Sequence, residues 1–295
     1  MTTLKNKVLF ITGASRGIGL AIALRAARDG ARVVVAAKTT VPHPKLAGTI
    51  HSAAEAIRAA GGEALAVAVD VRSEESVQAA MTAAVAAFGG IDIVVNNASA
   101  IALLGTEALD MKRYDLMHSI NARGTFLVSK LAIPYLRKSN NPHVLMMAPP
   151  LDMNPAHFKP YTAYAMAKYG MSMVVLGLAE EFRGEGIAFN ALWPRTTIAT
   201  AAIEFAGGGR DVMRASRKSE IMADAAHAIL TRSAGTFSGN FCIDDSILFE
   251  SGVRDFDVYR NDPAVPLQPD IFVPADSVLP PGVAATMTAM PRILT

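Results

Sequence analysis

Tyr164 and Lys168 are separated by Ala165, Met166 and Ala167. On a helix, that spacing puts both side chains on one face. The pair suits acid–base work. A free phenol titrates near 10, too high for efficient proton transfer at neutral pH. An ammonium one turn away favours phenolate and lowers that value. Lysine can also reach a ribose hydroxyl. With six tyrosines in the chain, the spacing alone is a weak signal. Its weight comes from what precedes it.

What precedes it is a glycine loop. The run Thr12-Gly13-Ala14-Ser15-Arg16-Gly17-Ile18-Gly19 follows an apolar stretch and opens a helical one. Glycines there let the backbone turn tightly and let a pyrophosphate approach the helix N-terminus. Gly13, Ser15, Arg16, Gly17, Ile18 and Gly19 are the candidate contacts. About 20 residues on, an acidic residue would hold the ribose 2′-hydroxyl of NAD. The sequence there is Ala36-Ala37-Lys38-Thr39-Thr40, with no acid. Lys38 and Arg16 could instead pair with a 2′-phosphate, so the expected cofactor is NADP(H). Asp70, with Val71 beside it, is placed to accept from the adenine amino group.

These groups need a scaffold. Apolar, β-branched runs at Val8–Thr12, Arg32–Ala37, Ala64–Val69, Ile91–Asn96, Val144–Ala148, Ile187–Trp193 and Asn240–Ile243 read as strands. Helical stretches near Gly17–Asp29, Ile50–Ala60, Glu74–Phe88, Asp110–Arg137, Ala163–Phe182 and Lys218–Arg232 separate them. Such alternation requires right-handed crossovers and a parallel sheet covered on both faces. The expected fold is α/β: a doubly wound, Rossmann-type domain over residues 1–250 with a seven-stranded parallel sheet. Two segments break the rhythm. Lys38 to Gly48 is a polar, proline-containing loop. After Glu250, seven prolines between Pro263 and Pro291 argue against a long helix. Residues 251–295 are expected to form an extended arm, either loose or laid on the domain or a neighbouring subunit.

Charge and composition exclude other classes. The formal net charge is +2 and no basic block stands out, so nucleic acid is not an expected partner. No apolar run is long enough for a spanning helix. The lone Cys242 cannot form a disulfide within the chain, and the N-terminus lacks signal-peptide order. A cytoplasmic protein is expected. The six histidines show no metal-ligand spacing, so no metal is expected.

Taken together, the chain resembles the short-chain dehydrogenase/reductase family. The resemblance rests on the Thr12–Gly19 loop, Asn96-Asn97-Ala98-Ser99, Asn121 within Ile120-Asn121-Ala122-Arg123-Gly124-Thr125, and Tyr164 with Lys168, in that order. It implies that Tyr164 is the general acid/base and that Lys168 holds the ribose and lowers the Tyr164 pKa. It implies that Asn121 anchors a water in a proton relay to Lys168, and that Asn96 and Ala98 border the cofactor. Within the family, Pro42-His43-Pro44-Lys45-Leu46-Ala47-Gly48, Asn190-Ala191-Leu192-Trp193-Pro194 and Pro266-Leu267-Gln268-Pro269-Asp270 look like the hydroxysteroid dehydrogenase-like protein 2 branch. That branch often carries a sterol-carrier domain, which this chain is expected to lack.

Three departures from the family pattern stand out. The serine usual at the end of the fifth strand falls on Ala148 or Pro149, or on Leu151 counted back from Tyr164. None carries a hydroxyl. Losing such a donor costs about 10²–10³ in rate if nothing replaces it. Either Tyr164 alone polarises a carbonyl, or a mobile residue such as Asn154 helps. Ser99 replaces a usual glycine. The usual Pro-Gly after the sixth strand is Pro194-Arg195, followed by Thr196, Thr197, Ile198 and Thr200. Ile198 is a candidate nicotinamide contact. Arg195 or Arg210 would either hold an anionic substrate group or be surface cations on a mobile lid, Thr196 to Arg217, containing Gly207-Gly208-Gly209.

The function expected is NADP(H)-dependent interconversion of a small-molecule ketone and alcohol. An apolar or lipid-like substrate would suit Met146, Met147 and Met153 as an adaptable lining. Reduction of an enoyl double bond, and a cofactor-binding regulatory protein with little turnover, remain open. Resemblance implies a homodimer or homotetramer paired through the helices near Asn121–Arg137 and Ala163–Phe182.

Overall fold

The structure, a computed structural model, describes residues 3–44, 46–204 and 209–288. Seven parallel strands form one sheet in the order β3-β2-β1-β4-β5-β6-β7. They are β1 (Val8–Thr12), β2 (Arg32–Ala37), β3 (Glu63–Ala68), β4 (Ile93–Asn96), β5 (His143–Met146), β6 (Ala188–Trp193) and β7 (Phe241–Ile243). Every central strand buries both faces because alternate residues serve opposite layers. Leu9, Ile11, Val33 and Val35 join one core cluster, and Phe10, Val34, Val94 and Val144 join the other.

The helices are α1 (Gly17–Ala27), α2 (Ile50–Ala59), α3 (Glu74–Phe88), α4 (Met111–Ile120), α5 (Ala122–Leu136), α6 (Thr162–Glu181), α7 (Ala201–Ile203), α8 (Gly209–Arg214), α9 (Glu220–Leu230) and α10 (Asp244–Glu250). Local chemistry sets several ends. Thr49 and Ser52 form a reciprocal cap on α2. Gly89 stops α3 with a left-handed φ of 85°. The stretch expected as one helix, Asp110 to Arg137, is two. It breaks at Asn121, where ψ falls to −74°. The Asn121 amide explains the break: it accepts from Ala100 N at 2.8 Å and donates to Ala100 O at 3.0 Å.

Strand order reverses between β1 and β4, where crossovers leave in opposite directions. A crevice opens there at the carboxyl ends of the strands, the usual ligand position in such sheets. The segment after Glu250 runs back over this end of the sheet. Gln268 N donates to Ala215 O at 2.8 Å, Asp270 N to Arg195 O at 2.8 Å, and Trp193 Nε1 to Ile271 O at 2.7 Å. Leu267, Phe272 and Val283 are buried. The expected glycine-rich lid is anchored at both ends, since Thr196, Thr197, Ser216 and Arg217 are buried. Gly207 and Gly208 of that lid, Lys45, and residues 289–295 of the tail lie outside the described residues. Among the described residues, no helix is long and apolar enough to cross a membrane.

Candidate active site

A cleft of about 520 Å³ occupies the crevice. One end is built by the glycine loop. Thr12 Oγ1 accepts from Asn97 N and Ala98 N, each at 3.0 Å, and Asn97 Nδ2 donates to Thr12 O at 2.9 Å and Gly13 O at 3.2 Å. These bonds buckle the loops after β1 and β4 together. Gly19 must be glycine here, because a Cβ would lie 2.5 Å from Asn97 Nδ2 and 2.9 Å from Gly13 O. Beyond the buckle, α1 starts with no side-chain cap and no acid in its first turn. Its N–H groups and dipole therefore face the cleft ready for an anion. The polar loop before α2 folds onto this end. Arg16 donates from Nε to Ala47 O at 2.8 Å and from Nη2 to Gly48 O at 2.6 Å.

Lys38, at the end of β2, is 62% exposed, so it is available to a ligand. Its Nζ lies 3.1 Å from Asp70 Oδ2, and Arg72 Nη2 lies 2.6 Å from the same oxygen. Hydrogen bonds from Arg72, with help from Lys38, hold the Asp70 carboxyl well below the usual carboxylate range.

The other end carries the tyrosine–lysine pair, both on α6. Tyr164 and Lys168 are buried. Lys168 Nζ donates to Met147 O at 2.6 Å and lies 5.0 Å from the centre of the Trp193 ring. Phe272, from the returning segment, stacks on Tyr164 with ring centres 6.0 Å apart. The expected electrostatics are reversed. Burial pushes the Tyr164 phenol up, and Asp270 pushes it further. Burial brings the Lys168 ammonium down to about 7, against an upward pull from Asp270. Taking charge out of water outweighs the mutual help expected from sequence.

The cleft brings together Gly13, Ser15, Arg16, Gly17, Ile18, Lys38, Asp70, Val71, Ala98, Tyr164, Lys168 and Ile198. Ser99 and Thr200 line it as well. Gly19, Asn96 and Asn121 do not. Gly19 packs behind the loop, Asn96 Nδ2 donates to Ser129 Oγ at 3.0 Å, and both amide atoms of Asn121 are bonded to Ala100.

The expected substrate groups divide. Met147 lines the cleft, Met146 is core, and Met153 is 66% exposed outside it. Ala148 is buried, and Asn154 caps a short turn by accepting from Ala156 N at 3.0 Å, away from the cleft lining. Arg195 is neither substrate ligand nor surface cation. Its Nε lies 2.7 Å from Asp245 Oδ1, and both side chains are at most 1% exposed. Arg217 pairs with the same carboxylate at 3.0 Å. The pairing crosses 50 residues of sequence, which is why the local reading missed it. Arg210 is exposed and outside the lining.

Among the lining residues given no role from sequence are Trp193, Asp270 and Ile271. Asp270 is the notable one. Burial pushes its carboxyl up to about 7, against help from Ile271 N–H and Lys168. Its only sequence signal was the motif Pro266 to Asp270, which carries no spacing rule.

Residues 7–206 match the short chain dehydrogenase family. The chain is 60% identical over 265 residues to hydroxysteroid dehydrogenase-like protein 2 of Danio rerio, covering 90% of this chain and 63% of that protein. It is 57% identical to the Homo sapiens protein of the same name over the same share of each chain. The chain thus spans less than two thirds of the length of these curated relatives. A crystal structure of a short chain dehydrogenase from Mycobacterium thermoresistibile superposes with a TM-score of 0.88 at 49% identity, covering 95% of this chain and 99% of that one.

Proposed function

The chain belongs to the short-chain dehydrogenase family, and on that premise we propose an NADP(H)-dependent oxidoreductase that interconverts an apolar carbonyl compound and its alcohol. One observation carries the reading. Tyr164 and Lys168 share a single cleft with the uncapped N-terminus of α1. An anionic dinucleotide held at one end therefore reaches the proton donor at the other.

The residues present fit such a cofactor. Gly13, Gly17 and Ile18 would take the pyrophosphate at the α1 N-terminus, and Asp70 and Val71 the adenine. Lys38, aided by Arg16, would take a 2′-phosphate, since β2 ends without the carboxylate that favours NAD. Bound NADP(H) supplies or accepts hydride at the substrate carbon. In reduction, Tyr164 Oη gives its proton to the substrate oxygen. Lys168 Nζ stabilises the resulting phenolate, relieving the cost of charging a buried phenol. Ile101, Leu103, Trp193 and Ile271 give the substrate end an apolar wall.

Reduction of an enoyl double bond is the second reading, favoured by the lack of a hydroxyl at the end of β5. A carbonyl and enoyl substrate panel followed at the NADPH absorbance separates the two. Ketone-dependent NADPH consumption is expected in the wild type and absent in Tyr164→Phe, with NADPH binding kept. Undiminished ketone turnover in Tyr164→Phe would sink the mechanism, and consumption on enoyl substrates alone would establish the second reading. For assembly, a homodimer or homotetramer is proposed through α5 and α6, whose Phe126, Met166, Met173 and Leu176 are large, apolar and exposed. A monomer by light scattering refutes it.

A further inference from the structure

The substrate end of the cleft contains a carboxyl group that this mechanism leaves unused. Asp270 comes from the returning C-terminal segment. That segment is fixed. Asp270 N donates to Arg195 O at 2.8 Å, and the next residue's carbonyl accepts from Trp193 Nε1 at 2.7 Å. Trp193 in turn supports Lys168, and Phe272 stacks on Tyr164. Asp270 therefore belongs to a segment whose neighbouring residues, Ile271 and Phe272, contact Trp193 and Tyr164.

Its own bonding is half complete. Oδ1 accepts from Ile271 N at 2.8 Å. Among the described residues, Oδ2 has no hydrogen-bond partner, while the residue borders the cleft. Nor is Asp270 a direct salt-bridge partner of Lys168, whose Nζ is bonded to Met147 O and Met171 Sδ. The cleft also lacks a donor at the position where β5 gives way to Ala148 and Pro149.

We propose that the Asp270 carboxyl, in its protonated form, donates a hydrogen bond to the substrate oxygen beside Tyr164 and so supplies the donor missing from the end of β5. The inference rests on the proposed carbonyl chemistry. Tyr164 still delivers the transferred proton, and Asp270 keeps its own, so the proton balance is unchanged. A carboxylic acid held neutral by its surroundings is a competent donor of this kind. The groups around Asp270 support neutrality. Tyr161, just before α6, and Tyr164 on it feel its charge as unfavourable to their own ionisation, and Asp244 at the start of α10 disfavours a second carboxylate. Lys168 pulls the other way, and burial prevails, leaving the carboxyl at about 7.

Three variants test the proposal against a ketone substrate: Asp270→Ala, Asp270→Asn, and Asp270→Ala combined with Ala148→Ser. Without the donor, Asp270→Ala is expected to lose about 10²–10³ in kcat, with NADPH affinity and melting temperature kept. Asp270→Asn, whose amide still donates, is expected to lose less. The added serine is expected to return part of the loss. Wild-type kcat in Asp270→Ala overturns the proposal. So does an equal loss in all three variants, which marks a structural role. Infrared difference spectra with NADPH bound, taken as pH crosses 7, read the carboxylic acid directly and need no turnover. A protonated band present in the wild type below pH 7 and missing in Asp270→Asn is expected; its absence from the wild type refutes the proposal. Failure of the carbonyl reading shows separately, as turnover that survives Tyr164→Phe.

Discussion

Adding one methyl group at Gly19 should disable the cofactor end of the cleft. Gly19 lies in α1 at an ordinary helical φ, so alanine costs no backbone strain and gains up to about 1 kcal/mol in helix propensity. The cost is steric. The new Cβ would sit 2.5 Å from Asn97 Nδ2, 2.9 Å from Gly13 O and 3.1 Å from Ala14 Cα. The Asn97 amide must leave, giving up its bonds to Thr12 O and Gly13 O. Each is worth about 0.5–1.5 kcal/mol, and residual overpacking adds about 1–3 kcal/mol. The net loss is about 1–5 kcal/mol, or roughly 2–10 °C in melting temperature for a chain of this size. Because the displaced amide ties the glycine loop to β4, NADPH binding should weaken about tenfold or more.

Gly17→Ala is the internal control. Its Cβ would meet nothing closer than 3.6 Å, at Thr200, and only the left-handed φ of 58° opposes it. That strain costs about 1–2 kcal/mol, so melting should fall less. A double-mutant cycle isolates the clash. Once Asn97→Ala has removed the amide, Gly19→Ala keeps only its close contacts with Gly13 O and Ala14 Cα and should cost less, a coupling of about 1–3 kcal/mol. Scanning fluorimetry and NADPH titration of all the variants read both quantities. Strict additivity in the cycle, or wild-type melting and NADPH affinity in Gly19→Ala, would refute the buckle as the reason for the glycine.

Three further outcomes follow. Lys38→Ala should weaken NADPH about tenfold, the low end for a charged hydrogen bond because the side chain is exposed, and leave NADH nearly unchanged in the same titration. An equal loss for both dinucleotides would remove Lys38 from the 2′-phosphate site. Arg195→Met should cost about 3–5 kcal/mol in denaturant unfolding, because among the described residues the buried Asp245 then keeps only Arg217 as a cationic partner. It should also speed proteolysis near Ser277 and Val278, which Arg195 holds by hydrogen bonds. Stability should fall on acidification through His143, whose imidazole burial brings down to about 4. The unfolded chain binds that proton near 6.5, so stability is lost as pH drops from about 6.5 to 4, by about 3 kcal/mol in all. Urea midpoints measured across that range check it, and His143→Leu should flatten the slope.

The sheet was legible because its strands carry apolar residues on both faces, which few other structures require. Five of the seven strand readings needed shifts of only one or two residues at an end; Val8–Thr12 and Arg32–Ala37 needed none. The glycine loop and the Tyr164–Lys168 pair were legible for a similar reason, since local spacing carries their geometry. What escaped depends on contacts far apart in sequence. The helix break at Asn121, which the resemblance marked only as a site residue, depends on Ala100 being brought against it. Arg195 reads as a loop cation until Asp245 arrives beneath it, and Ser277 beside it. The pKa directions at Tyr164 and Lys168 escaped too, because spacing reports proximity while burial sets the larger cost.

These long-range contacts converge on one segment. The run from Gln268 to Phe272 bonds to residues after β6, stacks on Tyr164 and lays a carboxyl in the cleft. The buried Arg195 joins it to the sheet, donating to Val278 while its own carbonyl accepts from Asp270 N. A segment expected as an extended arm, either loose or laid on the domain or a neighbouring subunit, thus borders the Tyr164 end of the cleft. The glycine-loop end is built from β1 to β4, early in the chain, whereas the Tyr164 end adds residues past 190 to Ile101 and Leu103. Ends with partly separate origins can vary separately. On the proposed function, changes near residues 267–272 should alter which carbonyl compound is taken and how fast it reacts, while leaving the choice of dinucleotide to Lys38 and the glycine loop.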